Sequence, residues 1–366
     1  MTDSLSSSSL MSLASPDVTI YSVIREIIGG ERVDEFSHVV LIPEVLTSFG
    51  DEQVSRAHLA MSLFLTLYAD LLERVPHALD YFNRRKSNEE LIFLDHGAVR
   101  TVLTTRNGDL PPGEQSLTRI LVPLGYSHNH TYPLPKLRMT GRSYTHKDFP
   151  ELIPQYFVSE FHPEQLENDN FEKKVILTVE NSRDPLTKET IADLEYLDAN
   201  GFLPRERVAD FLSNIAAAFD RQHPVPLLSH YEELREHSAE MAWIATEGNA
   251  FNHATDRVSD VMALAEHERE LGSPIKDTVE VSGSGNILQT AYKADIVSRP
   301  FRLDDESIVD KDVPGSFFEF ITRHNDEEGK VDLAFDANNA TGIFAMTRGE
   351  DESIHEEFME ADVEED

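Results

Sequence analysis

None of the 366 residues is cysteine. That absence excludes a disulfide framework, thiolate zinc sites, cysteine-ligated iron–sulfur clusters and a thiol nucleophile. Positive charge is scarce as well: 32 Lys and Arg stand against 67 Asp and Glu, a formal net charge of −35. Such a surface repels phosphate backbones and anionic bilayers, so neither nucleic acid nor a membrane is expected as a partner. No stretch approaches the roughly 20 apolar residues that cross a bilayer. The serine-rich start, Met1 to Pro16, lacks a basic segment followed by an apolar one and does not read as a secretory signal, which points to the cytoplasm. Nucleotide loops of the GxGxxG and P-loop types are missing, as are HExxH and GxSxG. Nucleotide-dependent and serine-hydrolase chemistry therefore have no support.

Forty per cent of the residues are apolar, enough for a substantial core. No Gly/Ser linker divides the chain. The expected organisation is a flexible leader over 1–17, a single catalytic metal-binding domain over 18–349 and an acidic disordered tail over 350–366, where ten of seventeen side chains are acidic. Apolar spacing predicts helices over Val54–Arg74, ended by Pro76, and over Arg205–Phe219, Tyr231–Thr246 and Thr255–Glu270. Strands are expected at Leu91–Leu94, Leu117–Pro123, Tyr156–Phe161, Asp277–Ser282, Ile287–Tyr292, Ser316–Thr322 and Thr341–Met346. Helices early and strands late give an α+β class. No internal repeat is strong enough to assert.

Any metal must use His, Asp, Glu, backbone or water, and there are fifteen histidines. Three residues in separate motifs attract attention. They are His96 in Phe93-Leu94-Asp95-His96-Gly97-Ala98-Val99-Arg100, His253 in Asn252-His253-Ala254-Thr255, and Glu319 in Phe317-Phe318-Glu319-Phe320-Ile321-Thr322-Arg323. If they converge, two imidazoles and a carboxylate form the facial triad that leaves positions open for substrate and O2. Each has a plainer reading. His96 ends an apolar stretch, where a hydrogen-bonded core histidine is common. Arg100, four residues on, shares its face if a helix begins there and would suit a carboxylate, or it pairs with Asp95. His253 belongs to a segment in which Thr255 is a candidate helix cap, though Asn252 could also fix its ring. Glu319 either projects onto an apolar face, which is costly unless it is paired or coordinated, or faces solvent while Phe318 and Phe320 point inward, with Arg323 and His324 as its partners. His128 and His130 form an alternative pair in a polar stretch.

At these residues the chain resembles the 2-oxoadipate dioxygenase/decarboxylase family, also called hydroxyglutarate synthase. His96 with Arg100, Asn252-His253-Ala254-Thr255 and Glu319 before Arg323 match its motifs in order, as do Phe157-Val158-Ser159-Glu160 and Gln289-Thr290-Ala291-Tyr292-Lys293-Ala294. The similarity covers most of residues 20–348. It implies a vicinal-oxygen-chelate-like fold, a mixed sheet or partial barrel around a metal site with flanking and inserted helices. It also implies Fe(II) held by His96, His253 and Glu319, and Arg100 on the carboxylate of a 2-oxo acid. The implied reaction converts 2-oxoadipate and O2 to 2-hydroxyglutarate and CO2, in lysine catabolism. Longer members also use residues near the C-terminus, and the stretch 336–344 does not align with them residue by residue. Two alternatives stand beside this expectation: a divalent-metal hydrolase or isomerase on the same scaffold, and a non-catalytic metal- or ligand-binding protein.

Overall fold

A computed structural model describes residues 10–326, 328–337, 342 and 346. Among them, eight strands form one mixed, curled sheet. In chain order these are β1 (Leu94–Val102), β2 (Tyr126–Leu134), β3 (Met139–His146), β4 (Gln155–Phe161), β5 (His253–Arg257), β6 (Glu280–Val281), β7 (Ile287–Ala291) and β8 (Phe317–Arg323). Across the sheet they run β6-β7-β8-β5-β1-β4-β3-β2.

That order contains a repeat. Each half is a first strand, a helix and three further strands, with the fourth strand parallel to the first. The helices are Gln115–Leu121 in one half and Val261–Glu270 in the other, as parallel neighbours require a crossover. The halves meet where β1 and β5 pair antiparallel, with His96 opposite Thr255, Gly97 opposite Ala254 and Ala98 opposite His253. A pseudo-two-fold through Gly97 and Ala254 therefore exchanges His96 with His253 and Arg100 with Arg257. The repeat is a short one in sequence, (Asp/Asn)-His-(Gly/Ala)-(Ala/Thr)-x-Arg, at 95–100 and again at 252–257.

Residues alternate across the sheet with period two. Leu94, Val99, Tyr156, Val158, Ala254, Phe318 and Phe320 join the main core, which is packed by the helix Arg56–Arg74. Fifteen of that helix's nineteen residues are buried, so tertiary packing sustains it all round rather than along one stripe. Ser55 caps its start, and Pro76 both ends the expected run and opens the next helix, Pro76–Ser87. Gly97 sits where the sheet meets this core. A Cβ there would lie 2.6 Å from the Phe251 ring. Gly97→Ala should therefore cost about 1–3 kcal/mol by overpacking, read as a lower urea midpoint with unchanged slope.

Several expectations are corrected. Gln115–Leu121 is a helix where an extended segment is expected over 117–123. Residues 96–100 extend a strand and do not begin a helix. The single helix expected over 255–270 is the strand β5 followed by Val261–Glu270, because the cap is Asp260, which accepts the amides of Met262 and Ala263, and not Thr255. Tyr231–Thr246 divides at Ser238 into Leu228–His237 and Ala239–Glu247; Ser238 caps the second helix through the amide of Met241. Strands occur in both halves of the chain, not late alone. Within the expected leader, Met11–Ser12 pairs with Ile42–Pro43 and Met11 and Ala14 are buried. The strand expected at Thr341–Met346 falls almost wholly outside the described residues, as does the acidic tail.

Candidate metal centre

The sheet brings His96, His253 and Glu319 together on its concave face. One donor atom from each lies within 4.8 Å of the others, and all three side chains are buried. His253 Nε2 is 2.9 Å from Glu319 Oε2, and His96 Nε2 is 3.7 Å from the same oxygen. Topology explains the convergence. His253 opens β5, His96 is the third residue of its neighbour β1, and β8 runs parallel to β5 with Glu319 level with Thr255. Glu319's counterpart in the other half, level with Ala98, is Phe157. One carboxylate serves two symmetry-related histidines, so the fold builds one site and not two.

Each imidazole is held through its other nitrogen. His96 Nδ1 is 2.8 Å from Asp95 Oδ1, and His253 Nδ1 is 3.1 Å from Asn252 Oδ1. Such partners fix the ring and leave Nε2 facing the centre. Sequence neighbours on a strand normally face opposite ways, but the β1–β5 register shifts between Leu94 and His96, a bulge that re-aims Asp95. The Asp95 carboxylate also accepts from Arg257 Nε at 2.6 Å and from Arg323 Nε at 2.9 Å. Arg323 is therefore not the partner of Glu319, and the expected choice of Arg100 for Asp95 is not made.

The electrostatics follow from these contacts. Burial pushes the Glu319 carboxyl up, but the charges and hydrogen bonds of His253 and His96 outweigh it and hold the group at about 2. Burial likewise opposes ionisation of Asp95, and the two guanidinium groups overcome it, keeping the carboxyl well below its usual range. Burial lowers His253 despite the attraction of Glu319, a shift in the direction of the neutral imidazole a ligand must be. Burial works the same way on His96, yet its bonds to Asp95 and Glu319 carry it upward.

The triad opens onto a cavity whose walls include Arg100, Phe157, Ser159, Gln289, Phe335 and Asp336. Arg100 shares the face of His96 through strand alternation, not helical spacing. It is 1 % exposed, and its guanidinium carbon lies 4.8 Å from the Trp243 ring centroid. Around the cavity, Glu319 Oε1, Gln289 Oε1 and Asn252 Nδ2 are buried without hydrogen-bond partners. Unsatisfied buried polar atoms cost about 1–3 kcal/mol each. Three of them converging beside an all-N/O donor set fit a divalent cation with a polar ligand next to it.

Other expectations separate here. Phe318 and Phe320 do point inward, but into the core on the opposite face, so both faces of β8 are buried. His128 and His130 do not converge: the strand is irregular between them, and His128 Nε2 contacts Thr131 Oγ1 at 2.9 Å in an exposed position. Thr255, read as a helix cap, instead places Oγ1 3.2 Å from His96 Nε2. From sequence, Asp95 and Arg323 are offered only as salt-bridge partners of Arg100 and Glu319, Gln289 only as part of a matched motif, and Phe335 not at all. For Asp95 the signal existed, since it holds the position in its motif that Asn252 holds in the other.

A curled sheet of two repeated βαβββ modules with such a group on its concave face defines a vicinal-oxygen-chelate-like protein. In agreement, a solved glyoxalase-superfamily protein from Ralstonia eutropha JMP134 is 47% identical, superposes with a TM-score of 0.84 and covers 88% of this chain and 99% of its own. The chain belongs to the 2-oxoadipate dioxygenase/decarboxylase family, whose model matches residues 48–347. Two hydroxyglutarate synthases solved in complex with 2-oxoadipate share the fold. The one from Oryza sativa has 18% identity, a TM-score of 0.57 and coverage of 82% of this chain and 96% of that one. The one from Pseudomonas putida has 16% identity, a TM-score of 0.54 and coverage of 81% and 74%. No curated protein matches the sequence. No described helix is long and apolar enough to cross a membrane.

Proposed function

We propose that this chain is an Fe(II)-dependent dioxygenase/decarboxylase that converts 2-oxoadipate, or a closely related 2-oxo acid, and O2 to 2-hydroxyglutarate and CO2, with lysine catabolism as its setting and the cytoplasm as its location. The observation that carries this reading is one buried cavity holding both a two-histidine, one-carboxylate group and a buried arginine, in a member of this family. His96, His253 and Glu319 would hold the iron. When bound, iron supplies a Lewis acid for the 2-oxo acid and a site at which O2 is activated.

The chain's own residues do the rest. Two imidazoles and one carboxylate leave a divalent ion one net positive charge, which suits an anionic substrate. Asp95 and Asn252 keep both imidazoles aimed, so metal binding costs little reorganisation. Arg100 would grip a substrate carboxylate with two parallel hydrogen bonds, the Trp243 ring holding its guanidinium plane. Gln289 Oε1 and Asn252 Nδ2 offer an acceptor and a donor to the body of the substrate. Phe157 and Phe335 exclude water, which strengthens each of these polar contacts. The reaction balances without a second 2-oxo acid, because the substrate supplies the two electrons that a separate 2-oxo acid would otherwise provide.

The test is anaerobic loading with Fe(II), followed by 2-oxo acids of graded length with O2 and CO2 measured together. Equal O2 uptake and CO2 release with 2-oxoadipate or a near homologue is expected. Inertness of the iron-loaded protein towards the whole series would overturn the proposal.

A further inference from the structure

Past β8, Asn325 bridges Val331, and from there the chain runs over the cavity as a strap, Val331 to Ala337. Phe335 on this strap meets His96 edge-on, with ring centroids 4.8 Å apart, and forms part of the cavity wall. The strap is not a strand of the sheet. Its fastenings include the Phe335 amide donating to Tyr132 Oη at 3.0 Å and Gln155 Nε2 donating to the Leu333 carbonyl at 3.3 Å. The strongest involve Arg323, whose Nη1 donates to the carbonyls of Asp332 at 2.9 Å and Ala334 at 2.7 Å.

The same guanidinium has a second grip. Its Nε and Nη2 donate to Asp95, with contacts of 2.9 to 3.1 Å, and Asp95 orients His96. Phe335 adds its ring 5.0 Å from the guanidinium carbon. One rigid, planar group thus touches the strap on one edge and the support of a metal ligand on the other. A planar fork transmits position in a way a point charge on a flexible stem does not.

We propose that Arg323 is a positioning residue that couples closure of the 331–337 strap over the cavity to the aim of His96 at the metal. This inference rests on His96 being a metal ligand and is independent of the substrate's identity. Coupling of this kind is reciprocal: whatever metal binding does for strap closure, strap closure does for metal affinity, by the same factor.

Hydrogen exchange of the amides at 332–335, followed with and without Fe(II) under anaerobic conditions, tests it alongside Fe(II) affinity measured by chelator competition. In the unaltered protein, loading should slow exchange across the strap. Arg323→Lys keeps the charge and loses the fork. It should abolish that metal-dependent slowing and weaken Fe(II) binding by roughly 10–100-fold, the usual cost of losing an outer partner of a ligand. Tyr132→Phe is the gentler variant should Arg323→Lys not fold. It removes one strap bond far from Asp95 and should weaken Fe(II) binding by roughly two- to ten-fold, one hydrogen bond's net worth. If the unaltered protein binds Fe(II) while strap exchange stays unchanged, the coupling is wrong and the metal site stands. Full metal-dependent protection in Arg323→Lys, or unaltered affinity in Tyr132→Phe, would also overturn it. If no Fe(II) binds at all, the metal site itself falls, and the coupling with it.

Discussion

His253→Ala is expected to yield a chain that retains no Fe(II) through anaerobic desalting and has no measurable O2 uptake with 2-oxoadipate. The loss should exceed the roughly 10–100-fold penalty of removing a partner outside the ligand set. The reason lies in the geometry around Glu319. His253 Nε2 lies 2.9 Å from Glu319, nearer than His96 Nε2 at 3.7 Å, and Glu319 is 1 % exposed. Without the imidazole, an ion loses one of three protein ligands, and in the metal-free chain a buried carboxylate loses the main group that keeps it ionised. Leaving a buried carboxylate without its hydrogen-bond partner costs more than the roughly 1–3 kcal/mol of a neutral group. The variant should therefore also unfold at lower urea, and iron content must be measured where circular dichroism still shows a folded chain. A folded His253→Ala protein that keeps one iron per chain would remove His253 from the ligand set.

The second large effect belongs to Arg100→Ala, and it should separate cleanly from the first. Iron stays bound, because Arg100 lies two strand pairs along β1 from His96 and contributes no donor to the triad. Substrate affinity falls. Removing one partner of a buried, hydrogen-bonded charge pair costs about 2–5 kcal/mol, which is roughly 30- to several-thousand-fold in apparent binding. The strand itself should survive: the bond from Asn249 Nδ2 reaches the Arg100 carbonyl, not its side chain. Arg100→Lys should fall between the two, since it keeps the charge without the fork. Steady-state KM measured at matched iron occupancy decides the matter, and an unchanged KM in Arg100→Ala would end the role given to that side chain.

How much of this was legible before the fold is best seen residue by residue. His96, His253 and Glu319 could be found because each sits in a recognisable local motif, and the family resemblance ordered them. Their convergence was not legible, since it depends on β5 pairing with β8 across 64 residues of sequence and with β1 across 155 to 162. Helix placement was good where apolar periodicity dominates, as in Arg205–Ala216 with Val208, Phe211, Leu212 and Ile215 buried. It failed at Thr255, where a β-branched residue in a buried strand presents the same letters as a helix cap, and the true cap, Asp260, lies five residues later. Asp95 is legible only as a partner for Arg100, because a strand should turn it away from His96 and only the bulge brings it back. Proximity in sequence offers Arg323 as one partner for Glu319, whereas in the fold its guanidinium reaches Asp95 and the strap. The repeated Asp-His and Asn-His motifs could have exposed the two-module fold. Six-residue similarity is weak evidence alone, and the pairing of Gly97 with Ala254 gives it meaning.

The central claim is that both atoms of O2 enter the organic product when a 2-oxo acid loses its carboxyl in this cavity. In the proposed balance, the keto carbon of 2-oxoadipate becomes a carboxyl carbon with one oxygen from O2, and the neighbouring carbon takes the other as a hydroxyl. The direct measurement is mass spectrometry of the product formed by the iron-loaded protein from 2-oxoadipate under oxygen-18 gas. 2-Hydroxyglutarate carrying two heavy oxygens is expected. Product of unchanged mass, or no product while iron is bound, would contradict it.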